Sequence, residues 1–333
     1  MADPNDGDEP NLADPGGDLI ARTPELRIPE DQEFPPRKRE FPAFEQLGAF
    51  LQEDLPTPPE LVKGLLHKGS KIVLGGGSKS YKTWLLSDLA ISIASGIPWV
   101  GFETTQARVL YVNLELGRPW FQRRLINILE KKGLERIGEW ITRLDLWNLR
   151  GYCTDGDTLL DELERRTEGR GYDLIIGDPL YKLLAGKKEN SAEDMSGLFN
   201  RLEEISEKSG AASIYGTHFS KGNQAMKDPI DRVSGSGVFG RDPDTIITIT
   251  PHKKAGAYTF EAITRNLPPV RPFVIRWDMP FFTRDTSLDP ELLKRAKTGR
   301  EKEFKPRMLW QVLVNNEPVR PPSSRKLSSK KPK

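Results

Sequence analysis

Between Leu61 and Asp244 the apolar residues come in short, β-branched runs, and each run is followed by a longer stretch in which they recur every third or fourth position. The runs predict strands at 71–75, 108–113, 142–147, 173–178 and 211–217, and the helical spacing predicts helices near 82–95, 118–132, 157–167 and 193–208. Strands alternating with helices of this length imply right-handed crossovers and a mostly parallel sheet with helices on both faces, an α/β architecture. After Asp244 the period changes. TIITIT, AYTFEAI and PFVIRW are β-rich with short gaps, which predicts antiparallel C-terminal strands extending one edge. Beyond Asp289 a charged helix is expected, then MLWQVLV, then a tail, RPPSSRKLSSKKPK, that reads as disordered.

The ends change the picture through composition. Up to Pro59 the chain carries eleven prolines and little periodicity, so residues 1–60 are expected to be a largely disordered arm that buries too little to offset its ordering entropy. Within it Phe44, Leu47, Phe50 and Leu51 recur at helical spacing and predict a short helix over 43–54. Docking on the core, docking on a neighbouring subunit and packing on its own domain all stay open for that helix. The net charge of +2 conceals three zones: −8 over residues 1–35, zero in the middle and +10 over 294–333. The expected organisation is an acidic arm (1–60), a globular domain (61–288), and a helical extension with a basic tail (289–333). A single cysteine, Cys153, excludes a disulfide framework and suggests a reducing compartment. With no basic-then-apolar leader and no apolar run long enough to cross a bilayer, a soluble cytoplasmic protein with no membrane association is expected.

Candidate chemistry clusters where predicted strands end. The stretch KIVLGGGSKSYKTWLL, Lys71 to Leu86, joins the first of these strands to the first helix, and from Gly76 it spells the phosphate loop G-x-x-x-x-G-K-[S/T] with Tyr81 in place of the second glycine. Glycines let backbone N–H groups wrap a phosphate chain, and a helix N-terminus adds partial positive charge. Gly76, Gly77, Ser78, Lys79, Ser80, Tyr81, Lys82, Thr83 and Trp84 are therefore the candidates for holding ATP. Lys82 would reach the β and γ phosphates, and Thr83 would hold Mg²⁺ through its hydroxyl. The plain alternative is a glycine turn with Lys82 in solvent. The apolar strand in YDLIIGDPLY ends in Asp178, a second candidate Mg²⁺ ligand, although an Asp before a Pro is also an ordinary turn. The strand in ARVLYVNLELG is followed by Glu115, either the base for an attacking water or a surface glutamate. His218 closes the strand in AASIYGTHFSKG, as a γ-phosphate sensor or as a structural histidine. The following glycine-bearing loop offers Arg232 as an arginine finger and Lys221 and Lys227 as nucleic-acid contacts, against a solvated loop with ordinary basic residues.

The order GGGSKSYKT, YVNLEL, IIGDPL, GTHFSKG, DRVSGSG and TRN, over roughly residues 61–278, resembles the RecA-type P-loop ATPases, and within them the hexameric replicative helicases of the plasmid RepA type. The resemblance implies a RecA-like P-loop NTPase core. It also implies that Lys82 and Thr83 bind nucleotide and Mg²⁺, Glu115 is the catalytic base, Asp178 is the Walker B acid, His218 is the sensor, and Arg232 reaches a neighbour's nucleotide. The implied function is an ATP-driven homo-oligomeric motor, as a hexameric ring, on single-stranded DNA in replication or mobilisation of an accessory element, with replication proteins as further partners. A filament-forming recombination or repair ATPase and a slow nucleotide-dependent switch or loader remain the alternatives. Two departures stand out: Tyr81 in the phosphate loop, and a basic tail after MLWQVLV where such relatives often carry a winged helix.

Overall fold

The computed structural model describes residues 42–152, 155–184, 191–220, 222, 224–233 and 237–294. The chain divides into two units, Met1–Pro56 and Thr57–Lys333. In the first, the expected helix is a short one, α1 (Leu47–Phe50). The second begins with a small antiparallel hairpin, β1 (Glu60–Val62) and β2 (Leu66–His67), and continues with β3 (Lys71–Gly76), α2 (Lys82–Ser95), β4 (Val109–Asn113), α3 (Arg118–Lys132) and β5 (Leu144–Asn148). There follow α4 (Gly156–Thr167), β6 (Leu174–Asp178), α5 (Ala192–Ser209), β7 (Ala212–His218), α6 (Pro229–Arg232), β8 (Thr245–Pro251), β9 (Ala257–Thr264), β10 (Val270–Asp278) and β11 (Phe281–Asp285).

Among the described residues the large sheet has nine strands in the order β11-β10-β9-β8-β3-β7-β6-β4-β5. From β5 to β8 neighbouring strands are parallel, and β8 to β11 are antiparallel. This is the expected α/β architecture, a mostly parallel sheet with antiparallel C-terminal strands. The period of two along each parallel strand sorts its side chains between two apolar layers. Ile72, Leu74, Val109, Tyr111, Leu174, Ile176 and Ile214 face the layer that includes α2 and Phe121 of α3. Val73, Leu110, Val112, Ile175 and Tyr215 face the layer built with α4 and α5. Helix α2 is buried almost all round, which explains why TWLLSDLAISIA lacks a polar stripe. Gly96 ends it in the left-handed conformation at φ +74°.

Three features differ from expectation. The hairpin β1–β2 is too short to give a period and β11 was not expected, and residues 142–143, expected to begin β5, instead close a 3₁₀ turn, Glu139–Arg143. Residues 290–294 form turns and an isolated bridge from Leu293 to His252 rather than the start of a charged helix. The remainder of the expected helical extension, MLWQVLV and the basic tail lie outside the described residues, as do Cys153, Lys221 and most of the acidic arm. Among the described residues no helix is long and apolar enough to cross a membrane.

Candidate functional site

The parallel strands share one direction, so their carboxyl ends open on one side of the sheet, where ligands of such sheets bind. Registers set the neighbours: Gly76 at the end of β3 lies opposite His218 at the end of β7, and Asn113 of β4 lies opposite Asp178 of β6. Sequence-predicted residues from four strand ends thus converge.

The glycine loop is tight on one side and open on the other. A Cβ on Gly75 would come within 2.8 Å of Val233, and one on Gly76 within 2.7 Å of the Ser80 hydroxyl, whereas one on Gly77 would meet nothing within 4 Å. Ser80 is buried and its hydroxyl donates to the Gly77 carbonyl at 2.8 Å, while Ser78 and Lys79 are exposed. Lys79 and Tyr81 both take the left-handed conformation, at φ +59° and +63°, a region that costs a side chain energy and that clusters at functional loops. Tyr81 caps α2, and its ring stacks on Trp277 of β10 with centroids 4.2 Å apart and planes inclined by 13°. The glycine missing from the pattern is thus replaced by an aromatic that braces the loop against the C-terminal strands.

Lys82 is buried, and its ammonium donates to the carbonyls of Gly76 (3.0 Å) and Gly77 (2.9 Å) and lies 3.3 Å from His218 Nδ1. Among the described residues it makes no ion pair. Burial pushes its pKa down to about 8, with Asp178 and Glu115 pulling the other way. Asp178 is fully enclosed. Burial raises its carboxyl above the usual range, opposed by hydrogen bonds from the Thr83 and Tyr111 hydroxyls, while Glu115 raises it further and Lys82 lowers it. The Tyr111 hydroxyl donates to Asp178 Oδ2 at 3.0 Å.

Glu115 is exposed, two residues beyond β4, in a turn fixed from beneath by Asn113. The Asn113 Oδ1 accepts from the Leu116 N–H (2.9 Å), and its Nδ2 donates to the Leu116 carbonyl (2.8 Å) and to Asn148 of β5 (2.9 Å). The Leu114 N–H donates to the Asp178 carbonyl at 3.0 Å, so the acid-bearing ends of β4 and β6 are tied together.

Arg232 does not join this group. It is 4% exposed, it pairs with Glu261 of β9, and its guanidinium donates to Thr250 Oγ1 (3.1 Å) and to the carbonyls of Gln224 (2.9 Å) and Lys227 (3.0 Å). With Nε and Nη1 both engaged within its own subunit, Arg232 sits in the described structure as a buried, ion-paired residue away from the strand ends, not as the exposed cation expected of an arginine finger. Lys227 is likewise turned inward, with its ammonium donating to the Ser220 hydroxyl at 2.7 Å.

Sequence reasoning missed two residues. Tyr111, in the middle of an apolar strand, looked like core. Arg124 looked like one more charge on a polar helix, yet its guanidinium lies 4.2 Å from the ring centroid of Trp84, and its charge is felt by Tyr111, Asp178 and Glu115. The signal was present in the phase of α3: Phe121 and Ile128, three residues before and four after, are both buried.

A family profile described as an AAA domain matches residues 35–224, which is 190 of the 333 residues. No curated protein matches the sequence. Among solved structures, the RadB recombinase is similar at 17% identity and a TM-score of 0.47, covering 65% of this chain and 90% of that one. A KaiC-like protein from Pyrococcus horikoshii OT3 is similar at 14% identity and a TM-score of 0.47, covering 68% and 93%.

Proposed function

This chain belongs to the AAA domain family, and from that premise we propose that it binds Mg·ATP on the loop Gly76–Thr83 and hydrolyses it with groups from the ends of β4, β6 and β7. The observation that carries the reading is Lys82, a buried ammonium with no carboxylate partner among the described residues, beside a glycine cradle that is open at Gly77. Such a cation is stabilised by an anionic ligand, and a phosphate chain is the anion that fits backbone N–H groups at a helix N-terminus.

The residues fit the metal as well. The Thr83 hydroxyl and the Asp178 carboxylate are a hard-oxygen pair already in contact with each other, and Mg²⁺ held there would neutralise phosphate charge. Lys82 binds the β and γ phosphates. Glu115 takes a proton from a water whose oxygen bonds to the terminal phosphorus. The bond from that phosphorus to the β–γ bridging oxygen breaks, ADP leaves with the electron pair, and the proton passes from Glu115 to solvent. His218, 3.3 Å from the Lys82 ammonium, registers loss of the terminal phosphate, and as the last residue of β7 it passes the change to the segment after it.

The order of the motifs supports a homo-oligomeric, helicase-like motor on single-stranded DNA, with the hexameric ring as its form. One observation favours a second reading. The group expected to reach a neighbour's nucleotide, Arg232, is paired with Glu261 of its own chain, and a slow nucleotide-dependent switch or loader requires no such group. Equilibrium binding of a fluorescent ATP analogue tests the common premise: Lys82→Ala is expected to lose about 1.5–3 kcal/mol, the worth of a buried charge-assisted contact. Unchanged binding would refute the site. Electron microscopy with a non-hydrolysable analogue and single-stranded DNA then separates the readings, since closed rings support the motor, helical filaments a recombination ATPase, and monomers the switch.

A further inference from the structure

Helix α3 presents one stripe to the sheet. Phe121 is 1% exposed and packs its ring 5.0 Å from that of Tyr111, and Ile128 is fully buried. Arg124 lies on the same stripe between them, one turn beyond Phe121. An arginine on the inward stripe of a helix is expected to be paired with an acid. Among the described residues, however, no hydrogen bond or ion pair engages this guanidinium. What holds it is the face of Trp84, 4.2 Å away, and Trp84 directly follows Thr83 in the first turn of α2.

Arg124 therefore stands beside the phosphate loop, its guanidinium carbon 4.2 Å from the centre of the ring that directly follows Thr83. Asp178 and Glu115 are near enough to raise its pKa, against burial, which lowers it. With no hydrogen bond or ion pair on it among the described residues, the guanidinium keeps its N–H fork available, and that fork is the geometry that binds phosphate oxygens in pairs.

We infer that Arg124 is the catalytic arginine of this ATPase, that it acts in its own subunit, and that it grips the terminal phosphate of the nucleotide held by the same chain, with the Trp84 ring holding its charge in place. This inference rests on the ATPase reading above. In the hydrolysis step Arg124 transfers no proton and forms no bond; it offsets charge on the phosphoryl oxygens as the water oxygen bonds to phosphorus and the bridging oxygen departs with ADP. The role that the sequence pattern suggested for Arg232 in trans is thereby taken by a different residue in cis.

The test compares ADP with a non-hydrolysable ATP analogue by equilibrium titration against the full chain and its Arg124→Ala, Arg124→Gln and Arg124→Lys variants, alongside turnover. The Gln variant keeps the side chain as far as Cδ, so it stands in if the Ala variant does not fold. For Arg124→Gln, ADP affinity is expected to stay within about twofold of wild type, affinity for the ATP analogue to fall about tenfold or more, and turnover to fall on the order of 10³-fold. Arg124→Lys, a point charge without the fork, is expected to recover part of the analogue affinity and little of the turnover. Equal weakening of both nucleotides, or of neither, would overturn the assignment to the terminal phosphate. Mixing Arg124→Gln with Glu115→Gln under confirmed subunit exchange is expected to restore nothing, because each site lacks a group of its own; restored turnover would overturn action in cis. If wild type itself binds neither nucleotide, the ATPase reading fails. If wild type binds both and the variants match it, the inference alone fails.

Discussion

Tyr81 is the residue at which the phosphate-loop pattern is broken, and the structure gives the break a magnitude. Two contributions oppose each other. At φ +63° a side chain costs about 1–2 kcal/mol relative to glycine. Against this, the ring is 37% exposed, so that roughly two-thirds of it is covered, and full burial of a large apolar side chain is worth about 1.5–3 kcal/mol. Stacking on Trp277, with Tyr258 and Phe282 meeting the ring edge-on at 6.2 Å each, adds about 0.5–1.5 kcal/mol. The expected balance favours tyrosine slightly. Tyr81→Ala removes the packing and keeps the strain, so it is expected to destabilise by about 2–3 kcal/mol. Tyr81→Gly removes both and is expected to be about 1 kcal/mol more stable than the alanine variant. Combined with Trp277→Ala, the Tyr81→Ala change should show a coupling of about 0.5–1.5 kcal/mol in a double-mutant cycle. The assay is urea unfolding without nucleotide, followed by titration with an ATP analogue, where loosening the loop should change affinity by about 1 kcal/mol. If Tyr81→Ala and Trp277→Ala are additive within about 0.3 kcal/mol, or glycine is no better than alanine, the ring is not bracing a strained loop.

Other perturbations probe the interior and the tail. Arg232→Ala leaves the Glu261 carboxylate enclosed without its cation and is expected to cost about 3–5 kcal/mol of stability in chemical denaturation, where a surface residue would cost almost nothing. Asp88, 1% exposed and 2.7 Å from the Lys132 ammonium, has its carboxyl pushed up to about 6 by burial, against the pull of Lys132. The folded chain therefore holds this proton more tightly than the unfolded one between about pH 4 and 6, so the group's contribution falls with rising pH in that window, by roughly 3 kcal/mol in all, and is flat above it. Unfolding free energies of wild type minus Asp88→Asn should follow that course, and a difference that does not vary with pH would refute it. The +10 charge over residues 294–333 predicts salt-sensitive binding to single-stranded DNA. Removing residues 320–333 should flatten the dependence of log affinity on log salt, and equal slopes would reject the tail as a contact.

The parts of the fold legible in the sequence are those governed by local period. Strands buried on both faces have to be apolar throughout, and helices that cover them have to repeat near 3.6, so the strands from β3 to β7 were readable to within about two residues, whereas β8, expected among the antiparallel strands, pairs parallel with β3. Elements that owe their existence to a partner were not. The hairpin β1–β2 pairs over so few residues that no alternation can show, and β11 exists because it can pair with β10 across a turn at Met279 and Pro280. Leu293 bridges His252, and the Lys253 N–H donates to the Leu292 carbonyl at 2.8 Å, which fixes as an edge what composition suggested would be a helix.

The same distinction separates the two arginines. Glu115, Asp178 and His218 were chosen by a one-dimensional rule, a polar residue at or just past the carboxyl end of an apolar strand, and Lys82 by the loop spacing, and the fold brings these strand ends and this loop together. Arg232 obeyed no such rule and was chosen because a glycine-bearing loop far along the chain suited a mobile cation. Position along the chain does not say which way a side chain turns, and there Thr250 of β8 and Glu261 of β9 supply an acceptor and a counter-charge that draw it inward. Arg124 obeyed a rule that went unread, since Phe121 and Ile128 fix the inward face of α3 and only the second arginine of the RR pair falls on it. A cation on an inward stripe with no acid to pair with needs an anion from elsewhere. On the proposed ATPase reading, that anion is the phosphate chain held by the neighbouring loop.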